Sequence, residues 1–590
     1  MGPIDADRDL REGFHPVHGL DRPGGPRVLN GSDRRLCSLS TSQSDQWRGV
    51  SSVTTIPFED QKPGTSGLRK RVHEFQRTHY LENFVQAIFD TVPRPDDAVL
   101  VLGGDGRYHN KVAIRRIIAL AAANGYGRII LGQGGLLSTP AASNLIRKRG
   151  ASGGIILSAS HNPGGPTGDF GIKYNIENGG PAPEWLTDAV YRRTREITEY
   201  RIAKLPDFDI DWKGEVHFGS LTIEIVDPVE DYAALMEQLF DFGAIRAARA
   251  NGLTILFDAM HAVTGPYARE IFVNRLGFDP ASLRNADPLE DFGGDHPDPN
   301  PIHAHALIDA MADTDAPELG AASDGDGDRN MIIGRRFYVT PSDSLAVLAA
   351  NAHLAPGYAG GIAGIARSMP TSRAVDRVAA ARGLPCFATP TGWKFFGTLL
   401  DAGKVTICGE ESAGTGSGHV REKDGLWAIL LWLNILAVRG GTVAEIMADH
   451  WQTYGRNYYA RHDYENLSAG DATALIEALQ GVLPTLAGKK FGACKILTAE
   501  SFCYVDPVDG TTSTDQGYCL TLEDGGRIVY RLSGTGTDGA TLRVYLESYR
   551  APDADLFADP AVILAPIAEA ARVIAAIESH TGMTVPNIIT

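Results

Sequence analysis

Two short segments hold residue types that could do chemistry. The first is Ser158-Ala159-Ser160-His161-Asn162-Pro163, which follows the apolar run Gly153-Gly154-Ile155-Ile156-Leu157. That run reads as a buried strand. It would deliver a serine into a tight turn beside a histidine and an asparagine, which presents a hydroxyl at the mouth of a site. Ser160 and Asn162 also suit a plain turn or helix cap. The second is Ser323-Asp324-Gly325-Asp326-Gly327-Asp328-Arg329-Asn330. Three carboxylates alternate with two glycines. Like charges this close repel unless a cation sits among them, and the glycines let the backbone bend until the oxygens converge. All-oxygen ligation suits a hard ion, and a site that keeps open positions for phosphate suits Mg²⁺. An EF-hand loop does not fit. Counted from Asp324, position 6 is Arg329 in place of Gly, and position 12 is Arg335 in place of Glu. The apolar Met331-Ile332-Ile333 that follows implies a fixed loop at a strand edge.

Two more segments look like readers of sugars and anions. Cys408 to His419 offers Glu410, Glu411 and Ser412 to hydroxyl groups, and the continuation to Trp427 offers His419, Arg421 and Lys423. Near the C-terminus, Arg531-Leu532-Ser533-Gly534-Thr535-Gly536-Thr537 joins the apolar runs 527–530 and 541–545. A strand–loop–strand of this kind can form a nest of backbone N–H groups for phosphate, with Arg531 and Arg543 as bidentate clamps.

The elements that must position these loops follow a β–α rhythm. Residues 98–102 read as a strand, Lys111 to Ala123 as a helix and 129–131 as a strand. The glycines at 103, 104 and 106 are no dinucleotide site, because His109 stands at the third glycine position and no Walker lysine follows. Gly150-Ala151-Ser152-Gly153-Gly154 matches the letters of a nucleophile elbow but has its helix before and its strand after, so it reads as a helix stop. The β–α pattern restarts at Leu253 to Phe257 and near Gly361 to Ile365, with helices over Tyr267 to Leu276 and Ser372 to Arg382. The last part alternates strand-like runs with a helix over Ala472 to Leu483. The expectation is an α/β protein of four domains, three similar mixed-sheet units and a C-terminal α+β unit, around a central cleft. Boundaries are expected at 56–230 (serine loop), 231–341 (metal loop), 342–457 (sugar loop) and 458–590 (phosphate loop). Residues 1–55, rich in Asp, Arg, Gly, Pro and Ser, are expected to be disordered or weakly ordered.

With these motifs in hand, the chain resembles the phosphoglucomutases of the α-D-phosphohexomutase superfamily. The resemblance runs in order from Asp60 to the last residue. It rests on Asp60 to Arg69, Ser160 to Pro163, Asp324 to Arg329, Ala366 to Ser372, Thr389 to Lys394, Gly409 to Ser412 and Arg531 to Gly536. The stretch from Asp506 to the final hairpin looks like the glucose-specific branch. The resemblance implies reversible conversion of α-D-glucose 1-phosphate and glucose 6-phosphate, through a phosphoserine enzyme and glucose 1,6-bisphosphate. Ser160 would be the phosphorylated residue. Asp324, Asp326 and Asp328 would bind Mg²⁺, with an oxygen of phosphorylated Ser160 as a further ligand. Arg69, His161, Arg329 and Lys423 would surround the transferring phosphate, with Lys423 or His161 as the base. Thr391, Gly392, Glu410 and Ser412 would contact the sugar. Arg531, Ser533, Gly534, Thr535 and Arg543 would grip the other phosphate. Ser158, Ser323, Ala413 and Gly418 depart from the family's usual residues, and Ala413 puts sugar fidelity in question.

The bulk numbers fit. A chain of 590 residues suggests about four domains. A formal net charge of −17 disfavours nucleic acid as a partner, so anions must be bound by local clusters of Arg and Lys. Six cysteines without C-x-x-C spacing give neither a disulfide framework nor a zinc site. No run approaches the ~18 apolar residues of a membrane span, and the N-terminus has no apolar signal core. A cytoplasmic enzyme acting on small sugar phosphates is expected, a monomer or weak homodimer with no membrane or nucleic-acid partner. The rivals are the same chemistry on mannose or glucosamine phosphates, and a non-catalytic phosphoprotein.

Overall fold

The computed structural model describes residues 49–64, 66–534 and 539–590. Most of the N-terminal extension therefore lies outside the described residues. Its end does not behave as expected: Val50–Thr54 is a strand, paired antiparallel with Glu199–Ala203. Two valines and a threonine give this short run β-preference, which the composition of the whole extension conceals.

Four sheets of four or more strands follow one another along the chain, besides two of two strands each. The first has seven strands, with Ala98–Gly104 at its centre and Gly153–Leu157 beside it. The second has five, built on Ile255–Asp258 and Leu319–Ser323. The third has four, built on Ile365–Ser368 and Ile407–Gly409. All three mix parallel and antiparallel pairs. The third starts later than the sequence suggested, because Gly361 adopts φ +91° and turns the chain before Ile365. The fourth sheet is antiparallel throughout, with Arg527–Gly534, Ala540–Arg550 and Arg456–Leu467 side by side. Ile528, Tyr530 and Leu532 turn towards the helices Ala469–Val482 and Pro560–Ile574. The alternate residues Arg531 and Ser533 face the opposite side, where the cleft lies.

The largest core runs through more than one sheet. It joins Val101, Phe257, Ile365, Trp427, Trp432 and Leu556 in one cluster. The helix Gly425–Arg439 is its axis, buried without interruption from Gly425 to Leu436. A helix apolar on every side belongs inside a large core. Losing one of its indoles to alanine would cost about 3–5 kcal/mol. Among the described residues no single helix is long and apolar enough to cross a membrane.

One buried acid in this core is held at a cost. The helix Pro341–Asn351 is capped by Thr340, whose hydroxyl accepts from the Asp343 N–H at 3.1 Å. The Asp343 carboxylate has weak hydrogen bonding, from Trp451 Nε1 at 3.5 Å and from the Thr340 hydroxyl. Burial pushes its pKa up to about 6, against the opposing pull of Arg456. Between the ordinary carboxylate range and pH 6 the folded chain therefore holds a proton that the unfolded chain has lost. Stability falls as pH rises through that window, and the penalty stands in full above it. Asp343→Asn should raise the unfolding free energy by on the order of 2 kcal/mol at pH 7.5 and change it little at pH 4. Urea titrations at the two pH values check this, and an equal effect at both would refute it.

Candidate active site

Three of the four loops occupy the same topological position. Gly153–Leu157, Leu319–Ser323 and Ile407–Gly409 each pair in parallel with an earlier strand of their sheet. Each then leads into its loop and returns antiparallel, as Asp169–Ile176, Asn330–Gly334 and Thr415–Ser417. The serine, the aspartates and the glutamate thus all sit at the carboxyl ends of inner strands, where open α/β sheets bind ligands.

Ser160 is held in a strained, left-handed conformation, φ +54°. Three bonds fix it. Its N–H donates to Ser158 Oγ at 2.7 Å, and its carbonyl accepts from Arg107 Nη2 at 2.7 Å. Its hydroxyl donates to Asp324 Oδ2 at 2.7 Å, with His161 Nδ1 3.4 Å away. Arg107, which sequence reasoning did not single out, is the brace of this turn. It is fully buried, donates from Nε to both oxygens of Asp105, and also reaches the Asp169 carbonyl at 2.9 Å.

Asp324, Asp326 and Asp328 are all buried, with one oxygen of each within 4.8 Å of the others. Each is managed differently. Asp324 Oδ1 accepts from the N–H groups of Asp328 and Arg329 at 2.9 and 3.0 Å. Burial, and then the neighbouring aspartates, still push its pKa well up. Asp326 Oδ2 accepts from Thr139 Oγ1 at 2.5 Å and from Lys173 Nζ. Burial works against its charge, but Lys173 outweighs burial and holds the pKa well down. Asp328 Oδ2 lies 3.1 Å from Lys423 Nζ. Asp326 Oδ1 and Asp328 Oδ1 remain buried without a hydrogen-bond partner among the described residues. Two idle carboxylate oxygens beside a third carboxylate fit a hard divalent cation such as Mg²⁺.

A cavity of about 770 Å³ opens beside these loops. It is lined by residues of all four sheet units, among them Arg69, His161, Arg329, Lys423, Arg531 and Arg543. Five basic residues remote in sequence, Arg69, Arg329, Lys423, Arg531 and Arg543, thus converge on it. Thr391, Gly392, Glu410, Ser412 and Ser533 line the same cavity. Glu410 Oε1 accepts from the Gly392 N–H at 3.0 Å, and the Thr391 hydroxyl is buried without a partner among the described residues. Ser160, Asp324 and Asp326 lie behind the cavity surface, and Asp328 reaches it. Gly534 ends the strand Arg527–Gly534, and Thr535 falls outside the described residues.

The charges in the cleft shape one another. Burial, and then Arg329, Arg69 and Lys423, drive His161 well below the usual histidine range, so its ring is neutral. Burial opposes the Lys423 charge, but Asp328 and Glu410 prevail and hold its pKa up. Arg531 and Arg543 are directly opposite each other across two strands. Arg531 Nη1 donates to the Tyr545 hydroxyl at 3.3 Å, and Arg543 Nε lies 3.8 Å from Asp463. Arg461 and Lys173 also line the cleft and were not foreseen. The alternation of Arg461 with Asp463 along Arg456–Leu467, and the lysine at 173 between Ile172 and Tyr174, were signals that could have found them. His419 and Arg421, read as anion contacts, are elsewhere. Arg421 pairs with Asp401 at 2.6 Å, and His419 is buried against Trp427.

The comparisons with known proteins agree along the whole folded region. The models for phosphoglucomutase/phosphomannomutase α/β/α domains I, II and III match residues 60–201, 230–336 and 341–454. The phosphoglucomutase-1 C-terminal domain model matches residues 456–587. The chain is 57% identical over 541 residues to a phosphoglucomutase of Rhizobium radiobacter, covering 92% of this chain and all of that one. It is 50% identical over 562 residues to human phosphoglucomutase-1, covering 92% of this chain and 100% of that one. Its fold is similar to the open-form crystal structure of pp63/parafusin, an exocytosis-sensitive phosphoprotein and phosphoglucomutase from Paramecium. There the TM-score is 0.85 at 47% identity, over 92% of this chain and 99% of that one.

The Arg107 brace carries its own test. Arg107→Met leaves Asp105 as an uncompensated buried charge and should cost about 3–5 kcal/mol of stability. Adding Asp105→Asn should recover a large part of that loss. A double variant no more stable than the single one would show that the pair is not the source of the cost.

Proposed function

Because the chain belongs to the phosphoglucomutase family of the α-D-phosphohexomutase superfamily, we propose that this cleft is its active site, with Ser160 as the phosphoryl carrier. The enzyme is an isomerase that interconverts α-D-glucose 1-phosphate and glucose 6-phosphate through glucose 1,6-bisphosphate. One observation carries the assignment of the site. His161 beside the serine, Asp328 of the acidic triad, Glu410, and the opposed Arg531 and Arg543 all line one cavity. A volume of about 770 Å³ suits a small ligand such as a hexose bisphosphate.

The phosphoryl group on Ser160 passes to the free hydroxyl of the bound sugar phosphate. The P–Oγ bond breaks, a P–O bond to the sugar forms, the hydroxyl proton goes to the neutral His161 ring, since Lys423 is held as its ammonium, and Ser160 Oγ takes up a proton as it leaves. The bisphosphate then turns over within the cleft, and Ser160 takes back the other phosphate. Such transfers are largely a matter of positioning and charge. Arg69, Arg329 and the Lys423 ammonium offset charge on the transferring oxygens. Arg531, Ser533, Gly534, Thr535 and Arg543 hold the phosphate that stays. Thr391, Gly392, Glu410 and Ser412 orient the sugar, and Glu410 sets the preference for glucose over mannose or glucosamine phosphates. Asp324, Asp326 and Asp328 would hold Mg²⁺, together with an oxygen of phosphorylated Ser160, and the ion supplies charge stabilisation. Glucose 1,6-bisphosphate serves as activator by phosphorylating Ser160. The described cysteines are free thiols, in keeping with a cytoplasmic setting.

Intact mass spectrometry tests the covalent step. Incubation with glucose 1,6-bisphosphate should add one phosphate to the wild type and none to Ser160→Ala, which should lose turnover by several orders of magnitude. Chelation should abolish activity and Mg²⁺ restore it, with Asp326→Asn resembling the chelated enzyme. A Ser160→Ala enzyme that still turns over would overturn the assignment. Arg531→Ala and Arg543→Ala should each raise KM for glucose 1-phosphate by about one to two powers of ten, since a charge-assisted phosphate contact contributes roughly 1.5–3 kcal/mol. Unchanged KM in both would move the phosphate site elsewhere.

A further inference from the structure

His419 has a chemical side chain and no place in the cleft. It is buried in a closed ring of hydrogen bonds, its side chain 2% exposed. One set of directions gives every proton in that ring an acceptor. The Trp427 indole N–H can only donate, and Nε1 lies 2.7 Å from the Tyr358 hydroxyl. Tyr358 accepts there, so its own proton is free for Ser417 Oγ, 2.5 Å away. Ser417 in turn donates to His419 Nδ1 at 2.8 Å. Nδ1 is thus an acceptor, the ring proton is on Nε2, and Nε2 donates to Asp424 Oδ2 at 2.9 Å. The other Asp424 oxygen accepts from the Tyr232 hydroxyl at 2.6 Å and from the Trp427 N–H at 3.0 Å, which starts the helix Gly425–Arg439. The ring closes on Trp427, and the His419 imidazole stacks on that indole, 5.6 Å between centroids.

What this ring encloses is the segment that bears Lys423. His419 and Asp424 stand on either side of it in the chain. Asp424 N–H donates to the Thr415 carbonyl at 2.8 Å, and Gly425 N–H donates to the Gly327 carbonyl in the acidic loop at 3.0 Å. Lys423 Nζ reaches Asp328 at 3.1 Å. We infer that His419, fixed as its neutral Nε2–H tautomer by Tyr358 and Ser417, is a positioning residue. Through Asp424 it sets where the Lys423 ammonium stands relative to the acidic loop. The inference rests on the reading above, in which Lys423 takes part in phosphoryl transfer.

Two readouts test it. In ¹⁵N-histidine-labelled wild-type enzyme at neutral pH, the resonance lost in His419→Phe should show the Nε2–H tautomer. An Nδ1–H or doubly protonated ring overturns the inference whatever the activity. In kinetics, His419→Phe keeps the aromatic stack and loses both bonds. It should lower kcat on the order of ten- to a hundredfold, with KM for glucose 1-phosphate within about twofold of wild type. His419→Gln can still place a donor at Asp424 and should recover most of kcat, whereas His419→Asn should behave like the Phe variant. Equal kcat in wild type and His419→Phe, or equal losses in the Phe and Gln variants, would overturn the positioning role. Lys423→Met is measured alongside. If it retains wild-type kcat, the reading of the cleft fails. If it is inactive while His419→Phe is unimpaired, only the role of His419 fails.

Discussion

Three buried carboxylates within 4.8 Å of one another cannot all stay charged without positive charge around them. Much of the surrounding architecture answers that requirement. Lys173 comes from the strand Asp169–Ile176, Lys423 from the segment ahead of the central helix, and the hydroxyl of Ser160 from the neighbouring loop. Each arrives from a different part of the chain, so the acidic loop is complete only when its neighbours are docked. Folding and site assembly are one event here. A protein with loosely hinged units would leave Asp326 and Asp328 facing water and lose the dry setting that makes such charges effective.

The overall charge sharpens the point. The chain carries −17 formally, yet the cleft gathers Arg69, Arg329, Lys423, Arg461, Arg531 and Arg543. Positive potential is therefore local and concave, set in a repulsive exterior. That arrangement selects small anions able to enter a pocket and rejects large ones that must approach along the surface. One junction between units is similarly specific. Arg527 pairs with Glu547 at 2.9 Å and donates to the carbonyls of Met369 and Thr371, each at 2.7 Å. The same loop anchors Glu411 through Ser368 and Thr371. The C-terminal sheet and the loop that bears Glu411 are thus joined, through the loop at 368–371, by short, directional bonds.

Much of this was legible in the sequence, for a physical reason. The serine, aspartate and arginine loops are local: their chemistry is written in six to eight consecutive residues, with glycines where the backbone must bend. The β–α rhythm around them follows from apolar runs and their spacing. What the sequence concealed are the residues that act at a distance. Arg107 looks like any surface arginine after a turn, and only the fold brings the Ser160 carbonyl to it. Lys173 sits in a buried strand and acquires its meaning from Asp326, far away along the chain. His419 misled for the opposite cause. It stands in a run of polar residues beside Lys423, but the stacking of its ring on Trp427 takes it into the core. Strand Val50–Thr54 was missed because its partner, Glu199–Ala203, is remote in sequence and its own neighbours are polar.

The phosphate grip proposed for Arg531 and Arg543 has a thermodynamic corollary. The two stand opposite each other only because two strands pair. An anion held by both would bind the folded state alone. By mass action such ions shift the unfolding equilibrium in proportion to the logarithm of their concentration. Melting curves recorded in phosphate buffer therefore describe a ligand-loaded protein, and those in a zwitterionic buffer describe a different species. The choice of buffer becomes part of the definition of this enzyme's stability.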